Sequence, residues 1–288
     1  FPAARNVTQT PTFIQRNMGW VDKVMNGTRH TPFSRIKTVH ADITADEARA
    51  KGYVTGNRKM EEVFTLLKRT TSPTTIYKKQ KLDRDDMIDI TDLDVVAWLK
   101  AEMRMMLNEE IARAILIGDG RTAASEDKIS ETSIRPIAFD DALYTVKVEI
   151  DPAADTPSDC IEAIIRARSQ YKGSGSPSLF VSEHVLADWL LIKDTLGYRV
   201  YKTKAELESA LNVSEIVPVE VMSESTVYDA DHELYAILVN LNDYTIGADS
   251  GGAVNMFDDF DIDYNQYKYL METRISCALT LPHSALVF

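Results

Sequence analysis

Residues 91–120, TDLDVVAWLKAEMRMMLNEEIARAILIGDG, carry the longest uninterrupted helix signal in the chain, and the other segments are read as attached to it. Val96, Leu99, Met103, Leu107, Ile111 and Ile115 recur at steps of three or four. One apolar stripe therefore runs down one side, with Lys100, Glu102, Glu109 and Arg113 off it. Thr91 is placed to cap the start, and Asp94 completes a capping-box-like pair that also complements the positive end of the helix dipole. Neither Pro nor Gly interrupts the run before Gly118 and Gly120, which supply the positive φ of a helix stop. The spacing predicts a helix of about 26 residues, about 39 Å long at 1.5 Å per residue, a rod suited to an extended subunit.

Such a rod needs a body to lie on. With 288 residues, 44% of them hydrophobic, the chain can build one or two cored domains. No apolar run approaches the roughly 18 residues of a membrane span, and no signal peptide opens the chain. Cys160 and Cys277 sit inside apolar patterns and read as buried thiols. The net charge of −12 conceals an asymmetry. Residues 1–82 hold 15 Lys and Arg against 6 Asp and Glu, a net of +9, and the remainder holds 17 against 38, a net of −21. A basic first third is a nucleic-acid signal in general. Here the basic residues are spread through a Thr-rich strand pattern with few aromatics for stacking, on a body that repels phosphate. The complementary surface is instead the acidic body of a neighbouring copy.

In chain order, residues 1–31 read as a polar arm with Pro2 and Pro11, in which Trp20, Val21, Val24 and Met25 make one short amphipathic turn. Strand patterns follow over 31–44 and 61–82 around a charged tip that contains Gly52 and Gly56. They form a long hairpin with too little core of its own, which must lie on something else. After the long helix and a polar loop at 121–131, a short strand is expected over 142–150. Thr156, Pro157 and Asp159 start a helix whose buried face is Ile161, Ile164 and Ile165. Residues 179–181 read as a buried strand, Ser182 caps a helix through Ile192, and 204–211 is a third helix. Residues 216–222 and 234–240 read as strands, the latter apolar enough for a sheet centre. The tail alternates through Asp258, Phe260, Ile262 and Tyr264 and ends in strands over 275–281 and 286–288.

Several stretches imitate active sites. Asp83, Asp85, Asp86 and Asp89, and again Asp258, Asp259, Asp261 and Asp263, are acidic clusters without the spacing or turn Gly of a calcium loop. Both read as solvated or subunit-pairing charge. The GSGS at 173–176 lies between a helix and a strand, the reverse of the order a phosphate-cradling loop needs, and reads as a turn. His232 with Glu233 lacks the second His of a zinc helix, and the SEDK at 125–128 lacks the partner motifs of a Ser-x-x-Lys hydrolase. Trp98 and residues 103–106 read as packing. A metal-dependent enzyme using an Asp cluster stays as the rival from another class.

An arm, a long hairpin, a long helix ending in GDG, a helix-strand-helix unit and a strand-rich tail together resemble the major capsid protein of tailed bacteriophages. The resemblance is carried by IARAILIGDGR at 111–121, LFVSEHVLADWLLIKDTLGYRV at 179–200, IVPVEV at 216–221 and ETRISCALTLPHSALVF at 272–288. It implies the HK-97-type capsid fold, an α+β architecture. The N-terminal arm would be 1–32 and the extended hairpin loop 33–82. The peripheral domain with the spine helix would be 83–148 and 249–273, and the axial domain 149–248 and 274–288.

The resemblance further implies a structural protein without cofactor or metal. It would assemble with itself into hexamers and pentamers of an icosahedral virion shell built in the host cytoplasm, enclose double-stranded DNA without reading its sequence, and meet portal and decoration proteins. An encapsulin-type compartment shell is the alternative on the same fold. The start at Phe1 fits a mature terminus left by a phage protease and favours the phage. Lys68, Arg69, Lys78, Lys79, Lys81, Asp83, Asp85 and Asp86 are the expected subunit contacts. Some members weld their shells with a Lys to Asn isopeptide bond. Alignment on Arg274 and Pro282 places Asn265 on the acceptor and Glu272 on the assisting acid. Lys59 is the donor, with Lys51 as alternative, although Met60 stands where the family has Pro.

Overall fold

A computed structural model of the chain describes residues 17–42, 49–56, 58–59, 65–85, 95–150, 156–223, 233–248 and 254–288. The long helix is α2, Val95–Leu116. Its expected cap, Thr91 with Asp94, lies outside the described residues. Leu99, Met103, Leu107, Ile111 and Ile115 are buried, and Gly118 and Gly120 follow at φ +84° and +69°. Between those glycines Asp119 is buried and accepts the Ile129 backbone N–H at 2.7 Å, which folds the polar 121–131 loop back on the helix end. No helix among the described residues is long and apolar enough to cross a membrane.

Part of the segment expected as an arm belongs to the body. Trp20, Val21 and Val24 fall on one face of α1, Gly19–Gly27, and are buried in the core that α2 lines. Strand β1, Arg29–Thr31, then pairs in parallel with β9, Tyr244–Ala248. One turn of apolar spacing is enough to dock a short helix when a larger stripe waits beside it.

The run expected as one hairpin strand over 61–82 is two strands with different partners. Strand β2, Lys37–Asp42, pairs antiparallel with β3, Thr65–Thr70. That ladder ends at Thr70, and Pro73, which has no backbone N–H to donate, separates it from the next strand. Strand β4, Thr74–Asp83, instead pairs with β11, Gln266–Leu279, a single strand of 14 residues. Along its length β11 also pairs with β10, Asn255–Asp261, and with β9. One face of this sheet, with Ile76, Tyr269 and Met271, shares a core with α2.

The second sheet runs β5-β12-β8-β6-β7, with β5 Thr145–Lys147, β6 Ser178–Val181, β7 Ile216–Pro218, β8 Ala236–Val239 and β12 Ala285–Val287. Every residue of β8 and β12 is buried, as the apolar runs require of a sheet centre. Helices α3, Pro157–Ala167, α4, Glu183–Leu190, and α5, Lys204–Leu211, accompany it. Thr156 and Asp159 close a reciprocal capping box on α3, and Ser182 and Thr203 cap α4 and α5. One burial and three boundaries differ from the sequence reading. Ile165 is 45% exposed, because the buried face of α3 is made by Cys160, Ile161, Ile164 and Ala167. Helix α4 ends at Leu190 rather than Ile192, and the strand from Ile216 gives way after Pro218 to a 3₁₀ turn, Glu220–Ser223. The alternation expected through Ile262 and Tyr264 stops at Asp261. Both side chains stand exposed in the β10–β11 turn.

The GSGS stretch is a turn, and it has a task. Buried Asp243 accepts the Ser174 backbone N–H at 2.7 Å, and the Asn240 amide donates to the Ser174 carbonyl at 2.7 Å. The loop is thereby pinned where the chain passes from β8 to β9, that is, from one sheet to the other.

Candidate assembly surfaces

Among the described residues, a cluster of contacts ties the hairpin to the body at its root. Arg69, 6% exposed, grips buried Asp140 with two hydrogen bonds of 2.6 and 2.7 Å from one guanidinium nitrogen and lies 3.9 Å from the Tyr144 ring centroid. Burial pushes the Asp140 carboxyl above its ordinary range, and the guanidinium opposes that push. His40 reaches the Thr280 carbonyl at 3.1 Å, and Thr71 and Ile36 exchange two hydrogen bonds at 3.0 and 3.2 Å. Ser276 of β11 bonds both Thr71, at 2.9 Å, and the Ser34 carbonyl, at 2.6 Å. The chain passes β9 so closely here that a Cβ on Gly247 would lie 2.5 Å from the Phe33 carbonyl oxygen. Arg69, expected as a contact to a neighbour, is therefore engaged inside its own chain. A guanidinium buried against a carboxylate has no face left to offer.

Past the root, the hairpin exposes Val39, Leu66 and Leu67. Val39 stands opposite exposed Lys68 and Leu66 opposite Ala41, so one face of the ribbon mixes apolar and basic groups. At the tip Lys59 lies 5.1 Å over the Tyr53 ring, and Val54 is 66% exposed. A two-stranded ribbon is at best marginally stable alone, so these residues need cover.

The sheet β10–β11–β4 leaves its other face open. Cross-strand registers put Tyr77 beside Glu272, Lys79 beside Leu270 and Phe257, and Lys81 beside Lys268 and Asp259. Tyr77 and Phe257 are more than half exposed. Of the three lysines expected on the hairpin, Lys79 and Lys81 are exposed on this face, while Lys78 is half-buried on the other. Lys268 pairs with Asp261, which holds that carboxyl below its ordinary range and raises the amine. Asp83 stands opposite Gln266, Asp85 receives the Asn265 amide at 3.5 Å, and Asp86 lies outside the described residues.

Asn265 and Glu272 do not meet in one chain. Asn265 sits in the β10–β11 turn at φ +52°, and Glu272 is seven positions along β11, roughly 23 Å away at strand rise. Lys59 and Lys51 are at the hairpin tip. The described residues hold no group of three or more His, Cys, Asp or Glu arranged to bind a metal, and burial pushes the Cys277 thiol well up and keeps it protonated.

The architecture has known counterparts. A capsid of an empty GTA particle computed with C5 symmetry superposes with TM-score 0.67 at 12% identity, over 99% of this chain and 94% of that one. The Mycobacterium phage Ogopogo structure gives 0.67 at 11%, over 99% and 96%. The capsid of Myoviridae phage XM1 gives 0.66 at 9%, over 100% and 98%. No curated protein matches the chain in sequence. At such identities the superpositions establish the fold, and a family model, described as the phage capsid family, matches residues 8–288. The chain therefore belongs to the phage capsid family and is a structural protein of the virion shell.

Proposed function

We propose that copies of this chain close into the icosahedral shell of a tailed phage around double-stranded DNA, as pentamers and hexamers, by laying the hairpin of each copy on the open β10–β11–β4 face of the next. The observation that carries this is the mismatch inside one subunit. The ribbon β2–β3 exposes Val39, Leu66, Leu67 and Lys68, while the open face offers Tyr77, Leu270 and Phe257 among Asp259, Glu272, Lys79 and Lys81. Charge contributes where Lys37 and Lys68 of the ribbon meet Asp259 and Glu272, while Lys79 and Lys81 of β4 stand on the receiving face itself. An acidic body also keeps enclosed DNA from adhering to the wall. Portal and decoration proteins are further partners of such a shell.

Electron microscopy of the purified protein tests the reading. Shells tens of nanometres across that contain DNA are the expected result. Protein-filled compartments or dispersed monomers would overturn it. Reversal of Lys37 and Lys68 to Glu is expected to block assembly and to leave the subunit folded.

The finer chemical step is an isopeptide weld between copies. The neutral Lys59 amine attacks the Asn265 side-chain carbonyl carbon, Glu272 of a further copy takes the amine proton and passes it to the amide nitrogen, and the C–N bond breaks to release ammonia. The separation of Asn265 from Glu272 supports assigning them to different copies. Denaturing electrophoresis of mature shells should show ladders that disappear in Asn265→Asp, and a single band near the 32.3 kDa of the monomer would eliminate the weld.

A further inference from the structure

The loop after α4 is built more firmly than an idle surface loop requires. The Asp194 carboxylate accepts the backbone N–H groups of Leu196 and Tyr198, both at 2.9 Å, and the Asp194 N–H donates to the Tyr198 carbonyl at 2.8 Å. Lys193 and Arg199 form an antiparallel bridge, and Gly197 turns the chain at φ +87°. The product is a prong held by its own hydrogen bonds. It displays Leu196 at 79% and Tyr198 at 71% exposure, flanked by exposed Lys193 and Arg199. Large apolar groups on a preorganised support mark a docking element, because little freedom remains to be lost on binding.

At the opposite end of α4 lies a cleft of about 440 Å³. Ala187 and Pro218 give it apolar surface, and Glu183 and Glu220 make it acidic. The Asn17 backbone N–H closes one side with a 3.0 Å bond to Glu220. Prong and cleft are complementary in both polarity and charge, basic-apolar against acidic-apolar. Fixed at the two ends of one eight-residue helix, about 12 Å long, they do not meet within a chain. Between chains they form a heterologous contact, which repeats head to tail and generates a ring when its rotation closes.

We infer that the prong of one copy seats in the α4 cleft of the next, with Leu196 and Tyr198 against Ala187 and Pro218, and Lys193 and Arg199 facing Glu183 and Glu220. The ring of each capsomer is closed by this contact. The inference rests on the shell reading above, yet it concerns a different surface from the hairpin.

The test is a paired-cysteine crosslink in the full chain, Leu196→Cys with Ala187→Cys, oxidised with oxidised glutathione. Both native thiols are buried and do not compete. The expected result is a ladder of covalent multiples on a non-reducing denaturing gel, with nothing above dimer in either single variant. A double variant that forms oligomers or shells but gives no ladder overturns the inference. A second measurement is charge exchange. Lys193→Glu with Arg199→Glu should abolish rings, as should Glu183→Lys with Glu220→Lys, while the four changes together should restore them. Unimpaired rings from either pair, or no recovery in the fourfold variant, also overturn it. An unaltered chain that gives rings but no closed particles tells against the shell reading and leaves the ladder to judge the prong.

Discussion

The two sheets of this subunit answer different demands. In β5-β12-β8-β6-β7 the central strands are buried throughout, and helices capped by Thr156, Ser182 and Thr203 accompany it, so the sheet is complete within one chain. In β10–β11–β4 one face is packed with α2 while the other displays Tyr77, Phe257, Lys79 and Lys81 to solvent, and the ribbon β2–β3 exposes Val39, Leu66 and Leu67 past its root. The first region is stable for itself. The second is composed for a surface that one copy does not contain. Burial on both faces is the mark of a fold, and burial on one face with aromatic and charged groups on the other is the mark of an interface.

Substitutions separate the two kinds of demand. Leu107→Asp, on a residue 2% exposed at the centre of the helix stripe, should have the largest effect. A charge with no partner there destabilises by more than about 4 kcal/mol, and no cooperative thermal transition should remain. Asp140→Ala comes next. It leaves the Arg69 guanidinium buried and unpaired and should cost about 3 kcal/mol, read as a lower denaturation midpoint, while Arg69→Met with Asp140→Leu should recover most of it. Thr156→Ala removes one half of the α3 capping box and should cost about 1 kcal/mol by the same measurement, without changing assembly. Smallest for the subunit are Leu66→Ser and Tyr77→Ser, which should stay within about 0.5 kcal/mol of the parent. Shell yield should nonetheless fall sharply in both. Tyr77→Ser protein that assembles normally would remove the open face from the interface.

The same division decides what could be read from the chain. The α2 stripe, the Thr156–Asp159 box and the bounds of α5 depend on residues a few positions apart, and local spacing carries them. The separation of β4 from the hairpin depends on which distant strand it meets. Its one local trace is Pro73 in a Thr-rich run that otherwise continues as strand. Strand β11 was legible only from Ile275 onward, because its first half presents Lys268, Glu272 and Arg274 to the open side and so lacks an apolar run. The Arg69–Asp140 pair spans 71 positions, and Arg69 reads in the sequence like any of the basic residues around it. Of the candidate site residues, those on the open face take their meaning from registers across three strands, which no single segment states.

One unbroken strand also has a mechanical consequence. At strand rise the 14 residues of β11 span about 46 Å, with ladders to β4, β10 and β9 along that length. A pull along the strand does not unzip those ladders bond by bond. It loads many backbone hydrogen bonds at once, in shear, and distributes the force over three neighbours. A wall under outward pressure is stretched in its own plane, and where β11 lies along that tension, the stress runs down the backbone direction in which this subunit is least extensible.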